Sequence, residues 1–110
     1  AHKLNKQAAL IDWQRPATVL DCQIRAMYPW PICHTTLAGE TLKIHAAVLA
    51  EGQGQAGEIL SADRDGLVVA CGEQALRITS LQLPNAKALA FSDVFNSKKE
   101  LFQVGQVLGL

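Results

Sequence analysis

Five short runs with strand-like hydrophobic patterning follow residue 33, joined by turns that carry Gly39, Asp65-Gly66 and Gly72, and one helical pattern stands before them and one after. Together these predict a mainly β fold, a small OB-like open Greek-key barrel with an N-terminal helix and a short helix near the C-terminus. The size agrees. A chain of 110 residues, 49% hydrophobic and 18% charged, fits one domain and buries roughly 60–70% of its unfolded surface. That composition argues against disorder, and no run of about 18 apolar residues exists to span a bilayer.

Ala1 to Lys6 lacks apolar periodicity and reads as a linker leading into the fold, so the sequence looks like a fragment. From Arg15 a helix is expected. Pro16 suits its first turn, Thr18 with Asp21 three residues later resembles a capping box, and Leu20, Ile24 and Met27 recur at helical spacing with Val19 widening the stripe. Pro29 stops it. Pro29-Trp30-Pro31 then forms a rigid extended corner, with Trp30 expected to anchor in the core.

His34 to Leu37, the Ala38-Gly39-Glu40 turn and Thr41 to Ala50 form a hairpin, with Leu42, Ile44, Ala46 and Val48 on one face and Lys43 and His45 on the other. Glu51 to Gly57, with three glycines, is expected to be a flexible loop; its glycines lack the G-x-G-x-x-G order of a phosphate cradle. Glu58 to Ala62, Leu67 to Cys71 and Ala75 to Leu83 complete the strands, separated by Asp63-Arg64-Asp65-Gly66 and Gly72-Glu73-Gln74. Pro84 ends the run, Ser92 is placed to cap a short helix, and an apolar tail of Phe102, Val104, Val107 and Leu108 follows, interrupted by Gly105.

Ten Lys plus Arg balance ten Asp plus Glu for zero net charge, which removes whole-domain basicity as an argument for nucleic acid. The total hides a gradient. Residues 1–50 carry five basic and three acidic groups, residues 51–97 three and six, residues 98–110 two and one. Positive ends around an acidic middle would combine into one basic face if the fold brings the termini together.

Catalytic chemistry is hard to assemble. His2, His34 and His45 have no evident acid–base partner, and Cys33 and His34, adjacent on a strand, project to opposite faces. Asp63 and Asp65 read as turn chemistry rather than a calcium loop, and Asp12 is placed for a structural pair with Arg15 or Arg25. Cys22, Cys33 and Cys71 are an odd count with no C-x-x-C pair and no apolar leader, which predicts reduced thiols in a cytoplasmic setting. The aromatics fall outside the central strands, so any nucleic acid would be held through its phosphates rather than by base stacking.

Ile11-Asp12-Trp13, Ile24-Arg25-Ala26, Pro29-Trp30-Pro31 and the late Asn96-Ser97-Lys98-Lys99-Glu100 with Phe102 and Gly105 together resemble the C-terminal domain of bacterial methionyl-tRNA formyltransferase, from Lys3 to Leu108. The resemblance implies residues 1–8 as an interdomain linker remnant and 9–110 as a C-terminal OB-like barrel. It implies a parent enzyme that moves a formyl group from formyl-tetrahydrofolate to the methionine carried by initiator tRNA. The catalytic Asn, His and Asp of that family belong to an N-terminal Rossmann-like domain on the same chain, so this domain is expected to be non-catalytic, with no cofactor or metal of its own. Its expected partner is initiator methionyl-tRNA, with no membrane involved. Lys3 and Lys6 match the family's basic linker, Lys98 and Lys99 its basic pair after the last helix. Lys43 and Arg64 join them as expected phosphate contacts on strand and turn exposure alone. Two other readings stand beside this one: a folate-dependent formyltransferase acting on an amino-sugar nucleotide, and a purely structural or interaction barrel.

Overall fold

A computed structural model describes residues 10–27, 32–37, 39–83, 86–97 and 102–109. The expected corner at Pro29 to Pro31 and the linker, Lys3 and Lys6 included, lie outside them, as do Pro84 and the Lys98-Lys99 pair. Helix α1 spans Ala17–Met27, followed by strands β1 (His34–Leu37), β2 (Glu40–Ala50), β3 (Ile59–Asp63), β4 (Gly66–Ala70), β5 (Ala75–Gln82) and β6 (Ala88–Ala90), then helix α2 (Phe91–Ser97). The architecture is the mainly β one expected.

The start of α1 differs from the capping box. The Pro16 carbonyl accepts from the Val19 and Leu20 amides, closing the first turn, and the Ala17 amide donates across the fold to the Glu73 carbonyl at 2.9 Å. The donor left over at the helix start is thus satisfied by the β4–β5 turn, and Thr18 lies exposed inside the first turn. Asp21 instead pairs with Arg25 at 3.1 Å, one turn on. That pairing also corrects the expectation for Asp12, whose Oδ1 accepts from the Gln14 amide. Ala17, Leu20 and Ile24 are buried, whereas Val19 is exposed, so the apolar stripe is narrower than the sequence suggested.

Every strand pair is antiparallel, in the order β1-β2-β5-β4-β3, with β6 beside the end of β5. Strands β3, β4 and β5 follow one another through hairpins and β2 lies next to β5, which is the Greek-key order. The β3–β4 hairpin turns through Arg64 and Asp65, and Asp63 Oδ1 accepts from the Asp65 amide at 2.8 Å, the turn chemistry expected of that pair.

One expectation fails at β2. Leu42 and Ile44 are buried, but the register shifts on both sides of Ala46, after which Ala47 packs against the core while Ala46 and Val48 face solvent. A bulge inserts one residue, and because side chains alternate with a period of two, each residue beyond it changes face.

The tail closes the barrel. Gly105 donates to the Ile59 carbonyl and Ile59 to that of Gln106, while Leu108 donates to Gly57 and Gly109 to Thr36 on β1. The segment therefore bridges the two edge strands, β3 and β1, and satisfies backbone groups that an open sheet would leave unpaired. Gly57 is required there: its φ is +88°, and a Cβ would meet the Leu108 carbonyl oxygen at 2.7 Å. The end of the glycine loop is thus pinned rather than loose. Phe102 and Leu108 are buried, Val104 is exposed.

Trp13 lies buried beneath this closure and donates from Nε1 to Oγ1 of buried Thr35 at 2.9 Å, pairing its polar edge inside the core. At the other side α2 lays Phe91 into the core against Phe102, with ring centroids 5.1 Å apart in an edge-to-face arrangement. Ser92 sits inside the first turn of α2 rather than ahead of it.

Candidate nucleic-acid interface

On β2 and β5 part of the outer surface comes from charged residues that alternate with buried ones. Lys43 stands between buried Leu42 and Ile44, so the burial of its neighbours turns it outward, and its cross-strand partners are His34 on β1 and Gln82 on β5. Directly opposed residues share a face. His34, Lys43 and Gln82 accordingly form one row, continued by Ala88 on β6, and Lys43 is exposed.

His45 joins the row through its ring. Its Nε2 lies 3.0 Å from Gln82 Oε1, while Gln82 Nε2 donates to the Ala86 carbonyl at 2.7 Å. A carbonyl can only accept, which fixes the amide's orientation and makes His45 Nε2 the donor to Gln82. Gln82 and His45 beside Lys43 are therefore held by their mutual bond and by the Ala86 carbonyl.

Arg64 is exposed at the β3–β4 turn, as expected, but between two exposed carboxylates, Asp63 and Asp65. The local charge is negative, which weakens the attraction of that turn for a phosphate. Arg77 is a further exposed cation that sequence reasoning did not single out. It occupies the outer row with Val48 and Val68, and its aliphatic stem crosses Gly66. The alternation of β5 held a signal for it, a charged residue between Leu76 and Ile78. Of the six expected contacts, Lys43 and Arg64 fall within the described residues.

Two surface depressions are lined in part by the loop 51–57. One of about 480 Å³ is lined by Gly52, Gly54, Gly72 and Glu73, among others, and one of about 250 Å³ by Asp12, Gln14 and Gln55 with apolar neighbours. Each has a carboxylate and no cation in its lining, so neither suits an anion. Among the described residues no group of three or more His, Cys, Asp or Glu side chains could hold a metal ion, and no helix is long and apolar enough to cross a membrane.

The thiols divide by burial. Cys33 and Cys71 are buried and desolvation pushes each up to about 11, whereas Cys22 is exposed on α1. A thiol reagent at pH 8 is expected to label Cys22 fast and the other two only on unfolding, as peptide mapping after brief labelling would report. The same burial carries a pH dependence. The folded state keeps both thiols protonated through the window between their ordinary value of 9.0 and about 11, so stability is intact below pH 9 and falls as pH rises through that window.

Comparison with known proteins adds three findings. The profile of the family described as formyl transferase, C-terminal domain, matches residues 3–99. A methionyl-tRNA formyltransferase of Pseudomonas fluorescens Pf-5 is 64% identical over 109 residues, covering 99% of this chain and 34% of that protein. Its counterpart in Pseudomonas putida W619 is 63% identical over 109 residues, with 99% and 35% covered. The chain spans about a third of the length of the curated relatives it matches. Among solved structures, a variant of HypX from Aquifex aeolicus superposes with a TM-score of 0.74 at 17% identity, covering 92% of this chain and 19% of that one. HypX in complex with tetrahydrofolic acid superposes with a TM-score of 0.73, also at 17% identity, covering 86% and 18%. At that identity the likeness is one of fold.

Proposed function

The chain belongs to the formyl transferase C-terminal domain family, and from that membership we propose that it is the tRNA-docking barrel of a methionyl-tRNA formyltransferase. The observation that carries this reading is identity of 63–64% along essentially the whole chain to proteins of that name. In this reading residues 1–8 are the remnant of an interdomain linker and residues 9–110 the barrel. An N-terminal catalytic domain of the same polypeptide transfers the formyl group, with formyl-tetrahydrofolate as donor, and the protein works in the cytoplasm. The barrel contributes no reacting group.

What the barrel supplies is position. Lys3, Lys6, Lys43, Arg64, Lys98 and Lys99 contact backbone phosphates of initiator methionyl-tRNA, and the rigid sheet fixes how the acceptor end is presented to the catalytic domain. The absence of aromatics from the outer rows of the central strands supports phosphate contact over base stacking. The names of the closely similar relatives favour a charged tRNA over an amino-sugar nucleotide as acceptor.

Phosphate contacts release counterions, so binding should weaken as salt rises, with a log–log slope near −0.7 to −0.9 for each phosphate neutralised. Titrating isotope-labelled domain with initiator tRNA at two salt concentrations is expected to shift lysine signals at low salt and lose them at high salt. Lysine signals unmoved at low salt would speak for a purely structural barrel.

A further inference from the structure

The row around Lys43 has a build that the charge distribution along the sequence conceals. His34, Lys43, Gln82 and Ala88 lie side by side on β1, β2, β5 and β6, with neighbours about 5 Å apart. Lys87, one residue before Ala88, is exposed. In the sequence it belongs to the acidic middle; in the fold its neighbour Ala88 lies two strand spacings from Lys43. The contact that holds its segment there is the Gln82 amide, which donates to the Ala86 carbonyl on one side and accepts from His45 on the other.

We propose that His34 and Lys43 together hold one phosphate of the RNA backbone, and that Gln82 is the positioning residue that keeps Lys87 at the next one. The chemistry fits: an ammonium and an imidazole N–H on adjacent strands can both donate to one phosphate's oxygens. Gln82, with its carbonyl and one amide hydrogen already bonded inside the protein, acts through Lys87. Arg64, between its two aspartates, contributes less than either lysine. This inference rests on the docking reading and assigns a specific surface to it.

The test measures the affinity of initiator tRNA for the full-length enzyme across a salt series. Lys43→Ala and Lys87→Ala are each expected to weaken binding up to about fivefold and to reduce the salt slope by roughly 0.7–0.9. His34→Ala should weaken binding less in the Lys43→Ala background than alone, because the two share a phosphate. Gln82→Leu should weaken binding and abolish the effect of Lys87→Ala. If Gln82→Leu does not fold, His45→Leu, which removes one of the two contacts on that amide, is expected to diminish the effect of Lys87→Ala. A wild-type enzyme that binds with a steep salt slope, unchanged in both lysine variants, would overturn the patch and leave docking intact. Salt-independent binding by the wild type would remove the docking reading and the patch with it.

Discussion

Gly72→Ala is expected to destabilise the fold by about 3 kcal/mol, near the upper end of what overpacking does. A Cβ at that position would run into the Gln14 carbonyl oxygen and stand 2.8 Å from its carbonyl carbon. Both are backbone atoms, so no side chain can swing away. Nor can the two segments separate cheaply. The Gly72 amide donates to the Arg15 carbonyl at 3.0 Å and the Ala17 amide to the Glu73 carbonyl at 2.9 Å, and together these fasten the β4–β5 turn to the start of α1. Relieving the clash means breaking them, which frees the donor at the helix start and lifts Ala17 and Leu20 from the core. Chemical denaturation should show the midpoint falling steeply. Glu73→Ala, which keeps the same carbonyl and changes only an exposed side chain, should stay within about 0.5 kcal/mol of wild type. Equal stability of Gly72→Ala and the wild type would mean that the two segments are not fastened in this way.

That turn illustrates what the sequence could and could not convey. The hairpins were legible because Gly39, Asp65-Gly66 and Gly72 punctuate alternating runs, and α1 because Leu20 and Ile24 recur at helical spacing after a proline. The role of Gly72 was not legible. A glycine in a turn signals backbone freedom, whereas here the missing side chain makes room for a strand of backbone more than fifty residues away in sequence. The bulge at Ala46 was invisible for a related reason. Ala46 and Ala47 are identical small residues, so exchanging which of them faces the core leaves no trace in the pattern. Strand β6 is three residues of Ala88-Leu89-Ala90, all exposed, and is made by the edge that β5 offers rather than by its own propensity.

The candidate surface was legible only in part. Lys43 could be turned outward from the alternation of β2, and Arg64 placed on a turn from Asp65-Gly66. Dividing charge along the chain, however, assigned Lys87 to an acidic segment, because linear distance says nothing about strand order. Antiparallel pairing of β5 with both β2 and β6 brings Ala88, the neighbour of Lys87, into the row of Lys43. The zero net charge is therefore compatible with a local positive patch, and the balance is met elsewhere by Asp63, Asp65 and Glu73.

The largest functional effect is expected from removing several phosphate contacts at once. A barrel that only docks the tRNA makes interactions that are equal in the ground and transition states, and losing such interactions raises KM while leaving kcat in place. If each phosphate-contacting lysine contributes up to about 1 kcal/mol, three together are worth up to about 100-fold. The direct measurement is steady-state formylation of initiator methionyl-tRNA by the full-length enzyme carrying Lys43→Ala, Lys98→Ala and Lys99→Ala. Docking predicts a KM for tRNA raised by tens of fold to about 100-fold, restored in part at low salt, with kcat within about twofold of wild type. A variant whose KM for tRNA is unchanged, or whose kcat collapses at unchanged KM, would contradict the assignment of this barrel as the docking surface.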